Sequence, residues 1–182
     1  MLADITIGMR LSPRAISGYF QFHFMDVIPV HWPKAIVSHD HRPKKAYFQM
    51  AQINQPLVPL PQLTGAKPDA MTLWVANDLN EPFRGCTLDW TVTVAGKPVL
   101  SDHVTLDVLA LNATKGPTVD LRPVTGSAAK FDLKLLLKDG AGRVMSRYQR
   151  EVRCVPPDSL FKAAEGYVDP FNAKPKRKAK KP

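Results

Sequence analysis

Apolar and polar residues alternate most regularly in the second half of the chain. Between Cys86 and Ala95, Leu88, Trp90, Val92 and Val94 fall on one side, and Thr87, Asp89, Thr91 and Thr93 fall on the other. That period of two belongs to a strand with one face buried and one face wet. The same pattern recurs where Phe131, Leu133, Leu135 and Leu137 interleave with Asp132, Lys134 and Lys138. Asp139-Gly140-Ala141-Gly142 then leads into Arg143–Cys154 as a hairpin. Leu57–Leu63, Ala70–Ala76 closed by Asn77-Asp78, Val104–Leu111 and Thr118–Arg122 supply further extended segments, and Gly96-Lys97-Pro98 supplies a turn. Seven strands within residues 56–155 predict an antiparallel, immunoglobulin-like β-sandwich, so the fold class is mainly β.

Residues 1–55 follow other rules. In Ser17–Phe24, Tyr19, Gln21 and His23 alternate with Phe20, Phe22 and Phe24, an aromatic density that favours a strand. A loop punctuated by Pro29, Pro33 and Pro43 follows. Lys44–Ile53 then reads as a helix, with Pro43 at its first turn and Tyr47, Met50 and Ala51 at helical spacing. One strand, one loop and one helix do not make a domain of their own. At the other end, residues 156–182 open with Pro156-Pro157 and finish in a Lys-, Arg- and Pro-rich run that cannot bury apolar area, which predicts a disordered basic tail.

Composition adjusts this picture in two places. The chain has 182 residues, too few for a complete (β/α)₈ enzyme of roughly 250. Its net charge is +9, but Lys174, Lys176, Arg177, Lys178, Lys180 and Lys181 hold six of those charges, leaving +3 for residues 1–173. The body therefore lacks the interleaved basic and aromatic surface of a nucleic-acid platform, and nucleic acid is a disfavoured partner. No apolar run reaches the ~20 residues of a membrane-spanning helix, so no membrane partner is expected. The first twenty residues carry no signal-peptide pattern, and localisation stays open.

Candidate chemistry clusters early. His23, Asp26, His31, His39, Asp40 and His41 lie close together, but their spacing is that of a loop and includes no His-x-x-x-His helix. Neither a metal nor a cofactor is expected. Asp26 and Asp40 are the only acids between residues 5 and 68 available for paired-carboxylate work, and nothing fixes their separation. There is no Gly-x-Ser-x-Gly, and Cys86 sits within a strand as a packed thiol; a Cys86–Cys154 disulfide is left open. No catalytic residue is assigned.

One stretch is more specific. Gly18-Tyr19-Phe20-Gln21-Phe22, Asp26, Pro29, Trp32-Pro33-Lys34-Ala35-Ile36-Val37, Asp40 and Arg42-Pro43-Lys44-Lys45-Ala46-Tyr47 resemble the end of the catalytic barrel in glycoside hydrolase family 2, the β-galactosidase, β-mannosidase and β-glucuronidase group. Leu73-Trp74-Val75-Ala76-Asn77-Asp78-Leu79 and Gly85-Cys86-Thr87-Leu88-Asp89-Trp90 are similar to the sandwich that follows that barrel. The resemblance implies that residues 1–55 are the last strand, loop and helix of a barrel. It also implies that the catalytic glutamates lie upstream of this sequence, and that coding sequence before Met1 continues into that barrel. The expected role is then a non-catalytic accessory sandwich that braces the barrel and closes the rim of a sugar site. Asp26 would accept hydroxyl hydrogen bonds there and Trp32 would stack on a pyranose ring. The expected partners are the missing barrel or a sugar ligand, or a second copy of the chain docked through residues 1–55. The alternative is a free-standing carbohydrate- or nucleic-acid-binding module. Trp74, out of phase with Leu73 and Val75, is its surface candidate.

Overall fold

The computed structural model describes residues 2–12, 23–26, 28, 35–64 and 67–154. Its elements are α1 (Leu2–Arg10), α2 (Lys45–Ile53), β1 (Leu57–Leu63), β2 (Ala70–Asn77), β3 (Phe83–Val94), β4 (Lys97–Val108), β5 (Asn112–Asp120), α3 (Arg122–Thr125), β6 (Lys130–Lys138) and β7 (Val144–Arg153). The seven strands form two antiparallel sheets, β1-β2-β5 and β4-β3-β6-β7. This is the expected sandwich. Its fourth strand pairs with β3, where the constant-type immunoglobulin arrangement keeps that strand beside β5.

The alternation read from the sequence is the burial pattern. Cys86, Leu88, Trp90 and Val92 of β3 lie beside Phe131, Leu133, Leu135 and Leu137 of the neighbouring β6 on the inner face of one sheet, and Met71, Leu73 and Val75 close the core from the other sheet. Pro59 and Pro61 sit two apart on β1, so the positions lacking an N–H recur on one side of the strand. A strand built that way pairs along one side and belongs at a sheet edge, where β1 lies. On β5, Gly116-Pro117 bulges opposite Leu73, and a Cβ at Gly116 would stand 3.2 Å from the Leu73 carbonyl oxygen.

Several sequence expectations are corrected. The turn between β3 and β4 is Ala95-Gly96, both at positive φ (49° and 79°), so β4 already begins at Lys97. The strand expected over Val104–Leu111 ends at Val108. Leu111 is itself a turn residue at φ 50°, which starts β5 at Asn112 rather than Thr118. Helix α1 was not anticipated. In α2 the buried positions are Met50 and Ile53, while Tyr47 and Ala51 face water. Cys86 and Cys154 are both buried free thiols, so the disulfide is not formed. Of the expected aromatic strand only His23 and Phe24 are among the described residues, and both lie in irregular backbone; the rest of it and the basic tail lie outside the described residues.

Helices α1 and α2 pack on each other and close the side of the sandwich where edge strands β1 and β7 meet. Ile7, Leu11 and Ile53 join the sandwich core. The polar fastening is equally specific. Gln52 Oε1 accepts the Gln149 N–H (2.8 Å), Gln49 Nε2 donates to the Gln149 carbonyl (3.5 Å), and Gln55 Nε2 donates to the Arg147 carbonyl (3.4 Å). Glutamines three residues apart thus satisfy the backbone groups that β7, as an edge strand, would otherwise leave open.

Candidate functional site

Asp26 is held by a small knot of backbone before α2. Its N–H donates to the Val37 carbonyl (3.1 Å), the Ile36 and Val37 N–H groups converge on the Phe24 carbonyl, and the Lys44 N–H donates to Ile36. Met25 bridges Val37 in parallel, and Val37 bridges Pro43. Ala35, Ile36 and Val37 are buried beneath this knot. The Asp26 side chain is 2% exposed, and its Oδ2 receives the Lys44 ammonium at 2.7 Å. The other oxygen, Oδ1, is buried without a hydrogen-bond partner among the described residues. A buried carboxylate with one oxygen unpaired carries a desolvation cost that a donated hydroxyl hydrogen bond would offset.

Trp32, the second sugar-contact candidate, lies outside the described residues. Trp74 is half-buried on the outward face of β2, where its Nε1–H donates to Gln62 Oε1 at 3.0 Å and the Lys115 ammonium stands 6.0 Å from the ring centroid. The Thr72 and Thr118 hydroxyls pair at 3.0 Å in the neighbouring register position. Asp26 and Trp74 therefore belong to different parts of the molecule, one in the knot before α2 and one on the three-stranded sheet.

The histidine-rich loop disperses its groups. His39, Asp40 and His41 are exposed in one turn, with His41 at φ 63°. Asp40 accepts from the Ser38 hydroxyl and pairs with Arg42 at 3.0 Å; the Ser38 hydrogen bond and the Arg42 charge hold its carboxyl below the usual range. Among the described residues no three His, Cys, Asp or Glu side chains converge on a metal-sized position.

Two positions that join the elements carry more structure than their sequence context suggests. Arg10, with a side chain 11% exposed, donates to the Ile53 carbonyl, to the Gln55 carbonyl (3.0 Å) and to Asp78 Oδ2 (2.6 Å). One guanidinium thus fastens the end of α1 to the end of α2 and to the loop after β2. Asn77 is fully buried, donates to the Glu81 (2.9 Å) and Leu109 (3.0 Å) carbonyls, and accepts the Leu79 N–H (3.0 Å). The Asn77-Asp78 pair was legible as the end of a strand. That Asn77 also anchors the β4–β5 turn depends on a contact 32 residues away. On α1, Asp4 pairs with Arg150 of β7 at 2.7 Å. Burial raises the Asp4 carboxyl pKa, and the Arg150 hydrogen bond and charge more than reverse that, leaving it below the ordinary carboxylate value.

No protein-family model and no curated protein matches the chain. Solved structures do. An exo-chitosanase, CsxA, from Amycolatopsis orientalis matches with a TM-score of 0.53 at 22% identity, over 66% of this chain and 14% of its own. A β-D-mannosidase from Dictyoglomus thermophilum matches with a TM-score of 0.51 at 12% identity, over the same 66% and 14%. Both are glycoside hydrolase family 2 enzymes, the group whose barrel end and sandwich the residues resemble. At these identities the likeness establishes a shared fold. The matched region spans about 14% of the length of those hydrolases, which is the scale of one domain among several.

Proposed function

We propose that this chain is the non-catalytic sandwich of a β-glycoside hydrolase, bracing a catalytic barrel and closing the rim of its sugar site through the segment around Asp26. The observation that carries this reading is the way residues 2–12 and 35–55 are built into the sandwich. Ile7, Leu11 and Ile53 enter its core, and Arg10 and three glutamines bolt the two helices to β7 and the β2 loop. A segment fixed in that manner transmits the position of the sandwich to whatever it contacts on its other side. Ile5, Tyr47 and Phe48 remain exposed on that segment, and Phe24 on the knot before α2, with the Tyr47 and Phe48 rings edge to face at 5.6 Å. They form the contact with the barrel, or with a second copy of the chain when the barrel is absent. In the knot before α2, Asp26 Oδ1 is the acceptor for a sugar hydroxyl, and Lys44 holds the carboxylate in place.

The test has two parts. The 182-residue chain should leave p-nitrophenyl β-glucosaminide and p-nitrophenyl β-mannoside unhydrolysed, and the coding sequence upstream of Met1 should continue into a barrel with two glutamates at strand ends. Hydrolysis at an enzyme-like rate would refute the non-catalytic role. An unrelated gene ending in its own terminator upstream would refute the bracing role.

A second reading, a free-standing carbohydrate module, is favoured by the fixed indole of Trp74 beside Gln62 and the Thr72–Thr118 hydroxyl pair. It requires sugar binding that is insensitive to salt and lost on Trp74→Ala. Binding that falls steeply with salt and disappears on deleting residues 172–182 would instead identify nucleic acid as the ligand of the tail.

A further inference from the structure

The two open sides of the sandwich are treated unequally. Where β1 and β7 meet, helices fill the gap, and Val58, Leu60, Tyr148 and Val152 are at most 3% exposed. Where β4 and β5 meet, no helix covers the gap among the described residues, and Leu100, Val104, Leu106 and Val119 stay half-buried beside the core. A slot of about 510 Å³ opens there, with Trp90, Leu100, Val104 and Val119 as its apolar walls and Thr118 and Asp120 among its polar groups. On the other side of β4, the outer face of the four-stranded sheet carries a shallow depression of about 600 Å³. It is lined by Thr87, Asp89, Thr91, Lys134, Leu136 and Lys138. The two hollows share Ser101, Asp102 and His103, so these three residues of edge strand β4 form a low ridge between them.

We propose that this pair of hollows is one saccharide site, in which a neutral oligosaccharide crosses the β4 ridge at Ser101–His103. The proposal rests on the carbohydrate-enzyme reading above and adds to it a site remote from Asp26. The lining matches that ligand class group by group. Thr87, Thr91, Ser101 and Thr118 supply hydroxyls that both donate and accept, as sugar hydroxyls do. The half-buried Leu100, Val104 and Val119 supply an apolar surface for the C–H face of a pyranose, with the buried Trp90 behind them. The charges are mixed: Asp89, Asp102 and Asp120 stand against Lys134 and Lys138 over the two hollows, with Asp89 paired to Lys138 at 2.5 Å and Asp120 to the neighbouring Arg122 at 2.8 Å. A phosphate chain would meet Asp89, Asp102 and Asp120, and a polycation would meet Lys134 and Lys138. Each hollow lies within the roughly 300–1,000 Å³ typical of small-molecule sites. The Asp102 side chain is 70% exposed and that of His103 67%, so both reach a ligand without moving and both are removable without disturbing the core.

The experiment titrates the full chain with cellotriose and mannotriose up to about 20 mM, a range that captures weak saccharide binding, and follows backbone amide and indole N–H resonances. The expected shifts centre on Ser101, Asp102, His103 and the slot residues Val104 and Val119. They persist at high salt, and the double variant Asp102→Ala, His103→Ala weakens binding about tenfold or more, the scale of lost hydrogen bonds to charged groups, while the thermal midpoint is unchanged. The inference is overturned by no shift with either trisaccharide, by shifts confined to Trp74 or to Asp26 and Lys44, by binding indifferent to the double variant, or by a cationic chitosan trimer binding more than tenfold tighter than the neutral sugars. Hydrolysis of aryl glycosides would refute the non-catalytic reading while leaving these shifts to be judged separately.

Discussion

Replacing Asn77 tests whether one buried amide joins the two halves of the sandwich's loop end. It is fully buried and makes three hydrogen bonds of 2.9–3.0 Å, two as donor to the Glu81 and Leu109 carbonyls and one as acceptor from the Leu79 N–H. Each such bond contributes about 0.5–1.5 kcal/mol net, so Asn77→Ala should destabilise the fold by about 3 kcal/mol. With a urea m-value of ~2 kcal/mol/M, that is a midpoint shift of about 1.5 M, readable through Trp90 fluorescence. The informative partner is Asn77→Asp, which keeps the volume and the acceptor for Leu79 but turns a carboxylate toward two carbonyl oxygens. If the amide acts through its donors, Asp should be at least as damaging as Ala. If the site only needs filling, Asp should be nearly silent. An Asp variant within about 0.5 kcal/mol of the parent, the usual size of an innocuous surface change, would refute the anchoring role.

Ala95 occupies a left-handed position, φ 49°, in the two-residue β3–β4 turn, where Asn-Gly is the favoured pair; Ala95→Asn should stabilise by about 1 kcal/mol in thermal unfolding. Arg10→Ala removes the clamp on the Ile53 and Gln55 carbonyls and Asp78, so hydrogen exchange in α1 should quicken by about tenfold or more while β6 and β7 keep their protection; equal change throughout would contradict a local clamp. The Asp4–Arg150 pair lowers the carboxyl pKa in the folded state, so its stabilisation is complete above the unfolded value of about 3.9 and is lost as pH falls through the lower folded value. Protection of α1 should therefore hold from neutral pH down to about 4.5 and decline below about 4, and Asp4→Asn should remove that dependence.

What the sequence discloses about this fold is set by the range of the interaction responsible. A period-two pattern is local, so β3 and β6 could be read with their buried faces correctly assigned, and Leu88, Trp90 and Leu135 sit where the alternation puts them. The β3–β4 and β4–β5 boundaries shifted because each turns on a residue with no turn signature: Ala95 and Leu111 both adopt positive φ. At Ala95 the closure of the β3–β4 hairpin sets the conformation, and at Leu111 contacts from elsewhere in the chain accompany it. The Leu111 N–H donates to the Leu79 carbonyl, and the preceding Leu109 carbonyl is held by Asn77. Helix α1 escaped notice for the same reason. Leu2–Arg10 is short, and it is held by Arg10 to α2 and by Asp4 to Arg150, 146 residues along the chain. A helix of nine residues is marginal in isolation, so its existence depends on the surface it docks on. Asp26 shows the limit from the site's side. Its residue type was enough to nominate it, whereas the burial that leaves Oδ1 unpaired and the reach of Lys44 across 18 positions arise only once the Val37 knot has formed. An acid exposed on a loop would exchange its hydrogen bonds freely with water. Asp26, enclosed at 2% exposure with Lys44 on one oxygen and the other unpartnered among the described residues, does not, and that distinction separates it from Asp40, its equal in the sequence.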